Sequence, residues 1–320
     1  MQEGQLSRAA KALVSQGIDQ DSGAARREME MKHPQVEEAK IPTEDHTVAS
    51  IKINSRQVYE AIRSFKAGKA PGPSGLRSEH LKEAKGRGEG RGAAALGALT
   101  RLVNTMAAGK VPKEVAPFLF GGNLFAIIKK SGGHRPVAVG DVLRRLTSKC
   151  IAYNVSGRAA ERLRPLQFGV GVRGGCEAVV HATRATLASE TIPPDEKWTL
   201  QVDLENGFNQ SGREDMFKEV RKHLPDLGPW VESCYGQSSI LNFGDGSVIS
   251  TTGVHQGDPL GPLLFSLTLQ PVLEKVQEVE GLVQNSWYLD DGMLVGRKEA
   301  LVKAMQDLNG KLGDPLSEEE

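Results

Sequence analysis

Residues 287–296 read Trp-Tyr-Leu-Asp-Asp-Gly-Met-Leu-Val-Gly, and two adjacent aspartates, Asp290 and Asp291, interrupt this otherwise apolar stretch. Adjacent carboxylates repel each other and hydrate strongly, so an ordinary half-buried strand does not favour them. Asp-Gly between apolar runs is typical of the turn of a β-hairpin. Carboxylates on such a turn can share a divalent cation, which removes their repulsion. A plain surface turn is the competing interpretation, and a second carboxylate segment upstream favours the metal site.

That second segment is the run Trp-Thr-Leu-Gln-Val-Asp at residues 198–203, in which apolar and polar side chains alternate. Alternation predicts a half-buried β-strand and places Asp203 at its polar end. Ser211 and Glu214 have the spacing of a capping box, which predicts the start of the next helix, and Pro225 ends it. Asp203 is therefore predicted to lie between a strand and a helix.

A glycine-rich segment lies between the two carboxylate segments and reads Gly-Val-His-Gln-Gly-Asp-Pro at residues 253–259. Its glycines and Gln256 predict a tight polar loop. Asp258 suits the N-cap of the following apolar helix, and Pro259 suits the first helical position. Such a helix start is common and proves little by itself. Its position between the two carboxylate segments is the informative feature.

In chain order, Asp203 with Phe208, the loop of residues 256–259 and the run Tyr-Leu-Asp-Asp at residues 288–291 resemble motifs A, B and C of reverse transcriptases. Residues 67–76 (Ala-Gly-Lys-Ala-Pro-Gly-Pro-Ser-Gly-Leu) and 134–139 (His-Arg-Pro-Val-Ala-Val) resemble the fingers motifs of retroelement enzymes. The resemblance covers about residues 50–300 and is strongest to the polymerases of non-LTR retrotransposons. Three motifs in order are far more specific than any one of them.

The chain departs from the family pattern at three positions near these motifs. Ser74 stands where the family usually has Asp, Gly207 where Ala is usual, and His255 where Gln is frequent. After Gly296 the sequence shows one possible helix and an acidic end, without the primer-grip region and thumb that the family places next. We therefore expect a fragment or a decayed copy of an element.

The resemblance implies an α+β fold of the right-hand polymerase type, with a small antiparallel palm sheet backed by helices. We expect a charged, mobile N-terminal arm at residues 1–45, with a short helix at 9–13. Fingers are expected at 46–195, a catalytic palm at 196–312 and an acidic tail at 313–320. The thumb is expected to be absent.

The activity implied by the resemblance is RNA-directed DNA polymerisation with two Mg²⁺ ions about 4 Å apart, and Mn²⁺ also fits. Hard cations prefer oxygen ligands. Asp203 and Asp290 would bridge the two ions, Asp291 would be a weaker ligand, and the backbone carbonyl of Leu204 would complete one shell. The implied partners are an RNA template, a DNA primer and dNTPs, with no membrane, and the sequence sets no oligomeric state.

Four further side chains are candidates for binding the dNTP. Phe208 takes the position that abuts the sugar, where a ring would collide with a ribose 2′-hydroxyl, although an ordinary core aromatic is the alternative. Gln256 would contact the nucleotide and the template base, or be only a satisfied loop amide. Arg135 would hold the triphosphate with its planar fork, together with either Lys129 or Lys130 as a point charge.

The 320 residues include 40 basic and 40 acidic ones, so the overall charge does not indicate a nucleic-acid partner. Residues 121–184, however, contain 11 Lys or Arg and 3 Asp or Glu, a net charge of +8. Such a segment attracts phosphates, or is only a solvated helix face. We expect its part at 141–173 to form one wall of the nucleic-acid groove.

Local patterns predict a strand at 124–128, a turn at 129–134, a helix at 141–164 and a flexible loop at 85–97. The three cysteines, Cys150, Cys176 and Cys234, are widely spaced, which favours reduced, buried thiols and an intracellular protein. No apolar run approaches the roughly 20 residues of a membrane span. The histidines show no spacing typical of a zinc site or a nucleophile triad.

A catalytically silent or domesticated remnant of the same fold, acting at most as a nucleic-acid-binding module, is the alternative to an active enzyme. The intact carboxylates favour the enzyme. A viral RNA-dependent RNA polymerase is a weaker alternative, because that family usually carries Gly-Asp-Asp where this chain has Leu289, Asp290 and Asp291, and lacks an aromatic like Phe208.

Overall fold

A computed structural model describes residues 17–19, 21–42, 49–84, 91–112 and 114–312 of the chain. The fold is of the mixed α+β class. The predicted helix at 9–13 and the acidic tail at 313–320 lie outside the described residues. Within the described part, no helix is both long and apolar enough to cross a membrane.

The described elements follow one another in an irregular alternation of helices and strands. The strands are β1 (Ile18–Asp19), β2 (Gly122–Ile128), β3 (His134–Gly140), β4 (Trp198–Asp203), β5 (Ser239–Phe243), β6 (Gly246–Ser250), β7 (Leu282–Tyr288) and β8 (Asp291–Gly296). The α-helices are α1 (Gly23–Met31), α2 (Ser55–Ser64), α3 (Ser78–Ala84), α4 (Arg91–Ala107), α5 (Ala116–Phe120), α6 (Val142–Leu163), α7 (Gly175–Ala188), α8 (Gly207–Gln210), α9 (Arg213–His223), α10 (Gly228–Tyr235), α11 (Gly261–Gln277) and α12 (Lys298–Leu312). Two short 3₁₀ turns cover Pro194–Glu196 and Pro225–Leu227.

The sheet that carries the aspartates has three antiparallel strands in the order β4-β8-β7. Helices α7, α11 and α12 pack on it, as expected of a small antiparallel sheet backed by helices. Val202 is buried and Leu200 is half-buried, which agrees with the predicted alternation along β4, but Trp198 is 55% exposed.

The second sheet has the order β1-β2-β5-β6, and β3 forms a hairpin with β2. The predicted strand at 124–128, the turn that follows it and the helix at 141–164 are confirmed by β2, the β2–β3 turn and α6. The turn closes with a hydrogen bond from the Lys129 N–H to the Gly133 carbonyl at 2.9 Å. Gly132 and Gly133 have φ of 93° and 67°, which explains the glycine pair there.

The loop of residues 67–76 docks on the N-terminus of α6. Asp141 caps α6 by accepting the Leu143 N–H, and the hydroxyl of Ser74 donates to the same carboxylate. A Cβ at Gly72 would lie 2.6 Å from the backbone of Asp141. Ser74 therefore has a defined partner, although the family pattern has Asp at this position.

Neither helix start around the two carboxylate segments has the predicted cap. Helix α9 begins at Arg213 after the N-cap Gly212, without a side-chain cap, so Ser211 and Glu214 form no capping box. Helix α11 begins at Gly261 with Pro262 in its first turn, later than the predicted start at Pro259. Arg213, the first residue of α9, is buried and donates to backbone carbonyls of Tyr235 and Gly253, so tertiary contacts hold this helix start in place of a cap. The predicted apolar stripe of α9 is buried: Met216, Phe217, Val220 and Leu224.

Three further expectations differ from the structure. Residues 91–97 are not a loop but the first turns of α4, and 85–90 lie outside the described residues. All three cysteines are free and two are buried, but Cys176 is exposed. Helix α1 was not predicted, and it packs against β3 and β6 within the stretch expected to be mobile.

Candidate active site

The two adjacent aspartates lie at a tight turn between β7 and β8. Tyr288 pairs with Asp291, so Leu289 and Asp290 form the turn. The predicted Asp-Gly turn is therefore wrong in register, because Asp291 and Gly292 already belong to β8. A close contact, not a turn conformation, explains glycine at position 292, since a Cβ there would lie 2.7 Å from the Trp287 ring.

The side chain of Gln167 holds this turn, although no pattern in the sequence predicts that role. Its Oε1 accepts the Leu289 N–H at 2.7 Å, and its Nε2 donates to the Leu289 carbonyl at 3.0 Å. Gln167 is fully buried. Because Leu289 has a φ of 58°, a region unfavourable for leucine, this amide holds the backbone in a conformation that leucine rarely adopts.

The third aspartate lies directly across the sheet from the turn. Asp203 and Asp291 are partners in the β4–β8 register. The N–H of Leu204 donates to the Asp290 carbonyl at 3.3 Å, and the Leu204 carbonyl accepts the Gly207 N–H at 3.2 Å. A carbonyl oxygen has two lone pairs, so the Leu204 oxygen retains one for another partner.

The electrostatics of the three carboxylates show mutual repulsion. Burial raises the pKa of Asp290 above its ordinary value, and the charges of Asp291 and Asp203 raise it further, while Arg135 lowers it. Burial and Asp203 likewise raise the pKa of Asp291, which Arg135 again opposes. The cluster therefore carries more negative charge than its surroundings balance, as expected of a cation site.

The donor set fits Mg²⁺ better than a metal that needs a complete protein cage. Among the described residues, no three His, Cys, Asp or Glu side chains form a ready-made ligand group. Mg²⁺ retains several waters and is held by one or two carboxylates together with substrate phosphates. Asp203, Asp290 and Asp291 supply such carboxylates, and the Leu204 carbonyl adds one neutral oxygen.

The carboxylates line an open cleft of about 1030 Å³. The structure brings all the predicted site residues to its walls: Lys129, Arg135, Asp203, Leu204, Phe208, Gln256, Asp290 and Asp291. Of the two lysines that the sequence left open, Lys129 lines the cleft. The β2–β3 hairpin provides the basic wall, and β4 with the β7–β8 turn provides the acidic one.

The expected contribution of residues 141–173 to this wall is wrong. Among the described residues that line the cleft, none comes from this segment. Three of its six arginines pair with acidic residues from elsewhere in the fold: Arg144 with Asp258, Arg158 with Asp226, and Arg162 with Glu274. A charge count along the sequence cannot include such partners.

Phe208 is half-buried and stacks on Phe265, with ring centroids 4.5 Å apart and an interplanar angle of 15°. The ring thus lines the cleft and also packs on the core, and its contact with a sugar stays a prediction. A Cβ at Gly207 would lie 3.2 Å from the Phe265 ring. This tight contact accounts for glycine where the family usually has alanine.

The loop that carries Gln256 rests on a buried polar network. Arg144 donates to Asp258 at 3.0 Å and to the His255 Nδ1 at 3.0 Å, and the Tyr235 hydroxyl donates to Asp258 at 2.8 Å. All four side chains are buried. Burial and the nearby charge of Arg144 hold the pKa of His255 well below its usual range, so the ring is neutral and accepts from Arg144.

The same loop also contacts the hairpin wall. The Ala138 N–H donates to the Gln256 carbonyl at 3.0 Å, and a Cβ at Gly257 would lie 2.2 Å from the Ala138 carbonyl. Gly257 has a φ of 141°. The sequence showed a tight loop but not its partner strand, because β3 is more than a hundred residues earlier in the chain.

With this geometry established, comparison with known proteins gives the family. The family described as reverse transcriptase (RNA-dependent DNA polymerase) matches residues 127–314, more than half of the chain. The chain belongs to this family. The matched region contains every residue that lines the cleft except Lys32.

One relative is the Retrotransposable element SLACS 132 kDa protein of Trypanosoma brucei gambiense. The two chains are 27% identical over 198 residues, which is 60% of this chain and 16% of that protein. The matched part of this chain therefore covers less than a fifth of the length of this relative.

Two solved structures are similar to part of this chain. Telomerase from Candida albicans in complex with a TWJ fragment of telomeric RNA aligns with a TM-score of 0.45 and 12% identity, over 63% of this chain and 40% of that one. Apo telomerase from Candida tropicalis aligns with a TM-score of 0.46 and 10% identity, over 70% and 48%. At these values neither likeness adds to the evidence from the site.

Proposed function

We propose that this chain is the catalytic part of an RNA-directed DNA polymerase from a retroelement of the non-LTR type. It would transfer a nucleotidyl group from a dNTP to a primer 3′-hydroxyl on an RNA template. The observation that carries the proposal is the gathering of Asp203, Asp290 and Asp291 opposite Lys129 and Arg135 in one open cleft. Family membership supports the same class of reaction.

The acidic wall would hold the cations of the reaction. Asp203 and Asp290 would share them, Asp291 would assist, and the Leu204 carbonyl would contribute a neutral oxygen. When bound, Mg²⁺ or Mn²⁺ stabilises the attacking and leaving oxygens of an in-line phosphoryl displacement. Burial first, and then the neighbouring carboxylates, raise the pKa values of Asp290 and Asp291. This supports the role, since a bound cation would favour the ionised forms.

The basic wall would bind the triphosphate of the incoming nucleotide. Arg135 is exposed at the start of β3, and Lys129 is half-buried at the end of the facing strand. The guanidinium matches two phosphate oxygens with paired hydrogen bonds, while the ammonium acts as a point charge. Gln256, held between Asp258 and β3, would contact the nucleotide and the template base.

We propose residues 46–195 as fingers and 196–312 as palm. The β4-β8-β7 sheet with its backing helices would be the palm. The β2–β3 hairpin would be the part of the fingers that faces it. The nucleic-acid partners, an RNA template and a DNA primer, belong to the proposal in the same way.

Primer extension tests the proposal directly. The chain is incubated with Mg²⁺ or Mn²⁺, dNTPs and a labelled DNA primer on an RNA template, and on a DNA template of the same sequence. We expect extension on RNA that needs the divalent cation. Binding of the primer-template without any extension, under either cation, would contradict the enzyme and favour the silent nucleic-acid-binding module.

Phe208 is expected to determine the choice of sugar. In Phe208→Val the ring is removed while the carboxylates remain, so ribonucleotide incorporation relative to deoxynucleotide incorporation should rise by about 10- to 100-fold. The measurement is the ratio of kcat/KM for the two nucleotides at one template position.

Phe265→Leu is the matched control for this prediction. It removes the ring stacked beneath Phe208 but leaves the Phe208 ring in the cleft. Its sugar discrimination should stay within about threefold of the parent, since only support is lost. Equal discrimination by the parent and Phe208→Val would show that Phe208 is only a core residue.

A further inference from the structure

A segment outside the region that matches the family reaches the cleft. The match covers residues 127–314, whereas Lys32, which lines the cleft, belongs to the stretch that follows helix α1. This stretch therefore contributes to the site although nothing in the family motifs points to it.

Helix α1 packs on the back of the β2–β3 hairpin. Ala25 and Met29 are fully buried in a small apolar cluster with Leu124 and Ala138, one residue from each strand of that hairpin. Just before the helix, β1 pairs with β2 at Ala126 and Ile127. The segment is thus attached to the element that carries Lys129 and Arg135.

Two charged side chains of this segment hold both backbone groups of His134. Glu28 accepts the His134 N–H at 2.9 Å and contacts the His134 Nδ1 at 2.6 Å. Lys32 donates to the His134 carbonyl at 2.5 Å and to Glu28 at 2.7 Å. His134 directly precedes Arg135, so these contacts fix the backbone from which the Arg135 side chain extends.

The same segment is tied to the opposite wall. The Asn206 Nδ2 donates to the Lys32 carbonyl at 2.8 Å, and Asn206 lies three residues after Asp203. Further along, the Val36 N–H donates to the Thr251 Oγ1 at 3.0 Å, in the connection between β6 and α11. Residues 28–36 therefore link the hairpin wall to the carboxylate wall.

We propose that residues 28–32 form a brace that sets the position of Arg135 over the carboxylates, with Glu28 and Lys32 as positioning residues for nucleotide binding. The role in nucleotide binding rests on the proposed polymerase function, whereas the brace itself is a property of the fold. The brace acts on the backbone of His134, to which both side chains are hydrogen-bonded.

Lys32 is better suited to this task than to direct phosphate binding. Although burial alone would raise the pKa of Glu28, its hydrogen bonds to Lys32 and His134 hold that pKa at about 2. Glu28 is therefore ionised and neutralises the neighbouring ammonium. An anion in the cleft would have to compete with Glu28 for Lys32.

Two variants distinguish a brace from a phosphate ligand, because the two roles predict opposite changes in the KM for dNTP when Glu28 is replaced by Gln. Lys32→Met removes the donor to the His134 carbonyl, and Glu28→Gln removes the charge that holds Lys32 and the His134 ring. For a brace, both raise the KM for dNTP by about tenfold, as for loss of a hydrogen bond to a charged group, with little change in kcat. For a phosphate ligand, Glu28→Gln frees Lys32 and lowers that KM. Lys32→Arg should retain most of the parent behaviour.

Lys40→Met is the matched control, since it removes one exposed lysine of the same segment. It should leave the KM for dNTP and the affinity for primer-template unchanged. Primer-template affinity should also survive in Lys32→Met. If the KM for dNTP rises equally in Lys32→Met and Lys40→Met, the effect comes from the loss of net charge, and the brace is overturned.

Hydrogen exchange on the nucleotide-free full chain tests the brace without any activity. The His134 and Arg135 amides should exchange about tenfold faster in Lys32→Met and Glu28→Gln than in the parent. Lys32→Met removes the charged bond to the His134 carbonyl, and Glu28→Gln leaves only a neutral acceptor for the His134 N–H. The amides of β8 should be unchanged. Unchanged exchange at His134 and Arg135 overturns the brace. A parent chain without primer extension overturns only the polymerase function, so the two failures are distinguishable.

Discussion

Asp290→Asn is expected to lower the rate of nucleotide addition by about 10²- to 10³-fold, the loss typical of removing one pre-organised charge at a reacting centre. The same change is expected to stabilise the cation-free protein. The reason is that the Asp290 carboxylate lies beside Asp291 and Asp203, where burial and like charges disfavour its ionised form. An uncharged amide of nearly the same shape removes the repulsion and the cation ligand together.

The raised pKa of Asp290 also predicts the direction in which stability changes with pH. The folded-state pKa of Asp290 is raised, so between the ordinary pKa of Asp and this higher value the folded state binds more protons than the unfolded state. Stability in the absence of divalent cations should therefore fall as pH rises through that interval. Asp290→Asn should flatten this part of the curve, as measured by thermal unfolding in EDTA from about pH 3.5 upward, near the ordinary Asp pKa.

Asp195→Asn is the control for both measurements, because Asp195 is an exposed carboxylate in the 3₁₀ turn before β4. It should extend primers at the parent rate and keep the parent pH profile. Parent-like extension by Asp290→Asn would remove that residue from the metal site. A cation-free Asp290→Asn protein that is less stable than the parent would show that the carboxylates are held by contacts rather than strained by repulsion.

Arg144→Met is expected to reduce the free energy of unfolding by about 3–5 kcal/mol, the usual result of removing one partner of a buried ion pair. Arg144 is 1% exposed and Asp258 is 7% exposed. Without the guanidinium, Asp258 retains only the Tyr235 hydroxyl and a backbone N–H as donors. The Phe120 carbonyl and the His255 ring also lose their donor. Urea unfolding, followed by circular dichroism, measures the change.

Arg145→Met tests whether this loss is specific to the buried pair. Arg145 is the next residue on α6 and is half-buried, with its guanidinium 5.9 Å from the Phe65 ring. We expect a loss of about 1 kcal/mol or less, as for a partly exposed cation–π contact. The double variant Arg144→Met with Asp258→Asn should recover part of the loss, since no buried charge remains unpaired. Equal losses in Arg144→Met and Arg145→Met would contradict this account of the network.

A stabilised loop at Gln256 is the functional consequence of the buried pair. Asp258 and His255 flank Gln256 and Gly257, and both are held by Arg144. The loop also bonds to β3 through the Ala138 N–H. The position of Gln256 in the cleft therefore depends on residues from α6 and β3, which no motif in the loop itself specifies.

Local patterns were sufficient where one element decides its own structure. The alternation before Asp203 predicts a strand, and β4 lies there. The predicted strand at 124–128 and the predicted helix at 141–164 correspond to β2 and α6. These elements follow from the burial of one face, which is written into the order of side chains. The glycine pair at 132 and 133 marked the hairpin turn for the same local reason.

Local rules failed where a side chain had a stronger partner elsewhere. The arginines of 141–173 suggest a phosphate-binding wall, but several pair with acidic residues from elsewhere in the fold. There, bidentate ion pairs outweigh the weaker local preference. Asp258 keeps a local bond of the N-cap type, since its Oδ1 accepts the Leu260 N–H. Its Oδ2 accepts from Arg144 and Tyr235, and α11 begins only at Gly261.

The sequence by itself determined the strand and helix periodicities, the order of the three motifs and the residue types that suit a cation and a triphosphate. Only the tertiary structure decided that Asp203 pairs with Asp291, that Gln167 holds the Leu289 backbone and that Lys32 joins the cleft. The physical reason is the distance along the chain over which each kind of interaction acts. Propensity and periodicity act over a few residues, whereas these contacts join residues up to 122 positions apart in the chain. Their energies depend on burial that no local pattern contains.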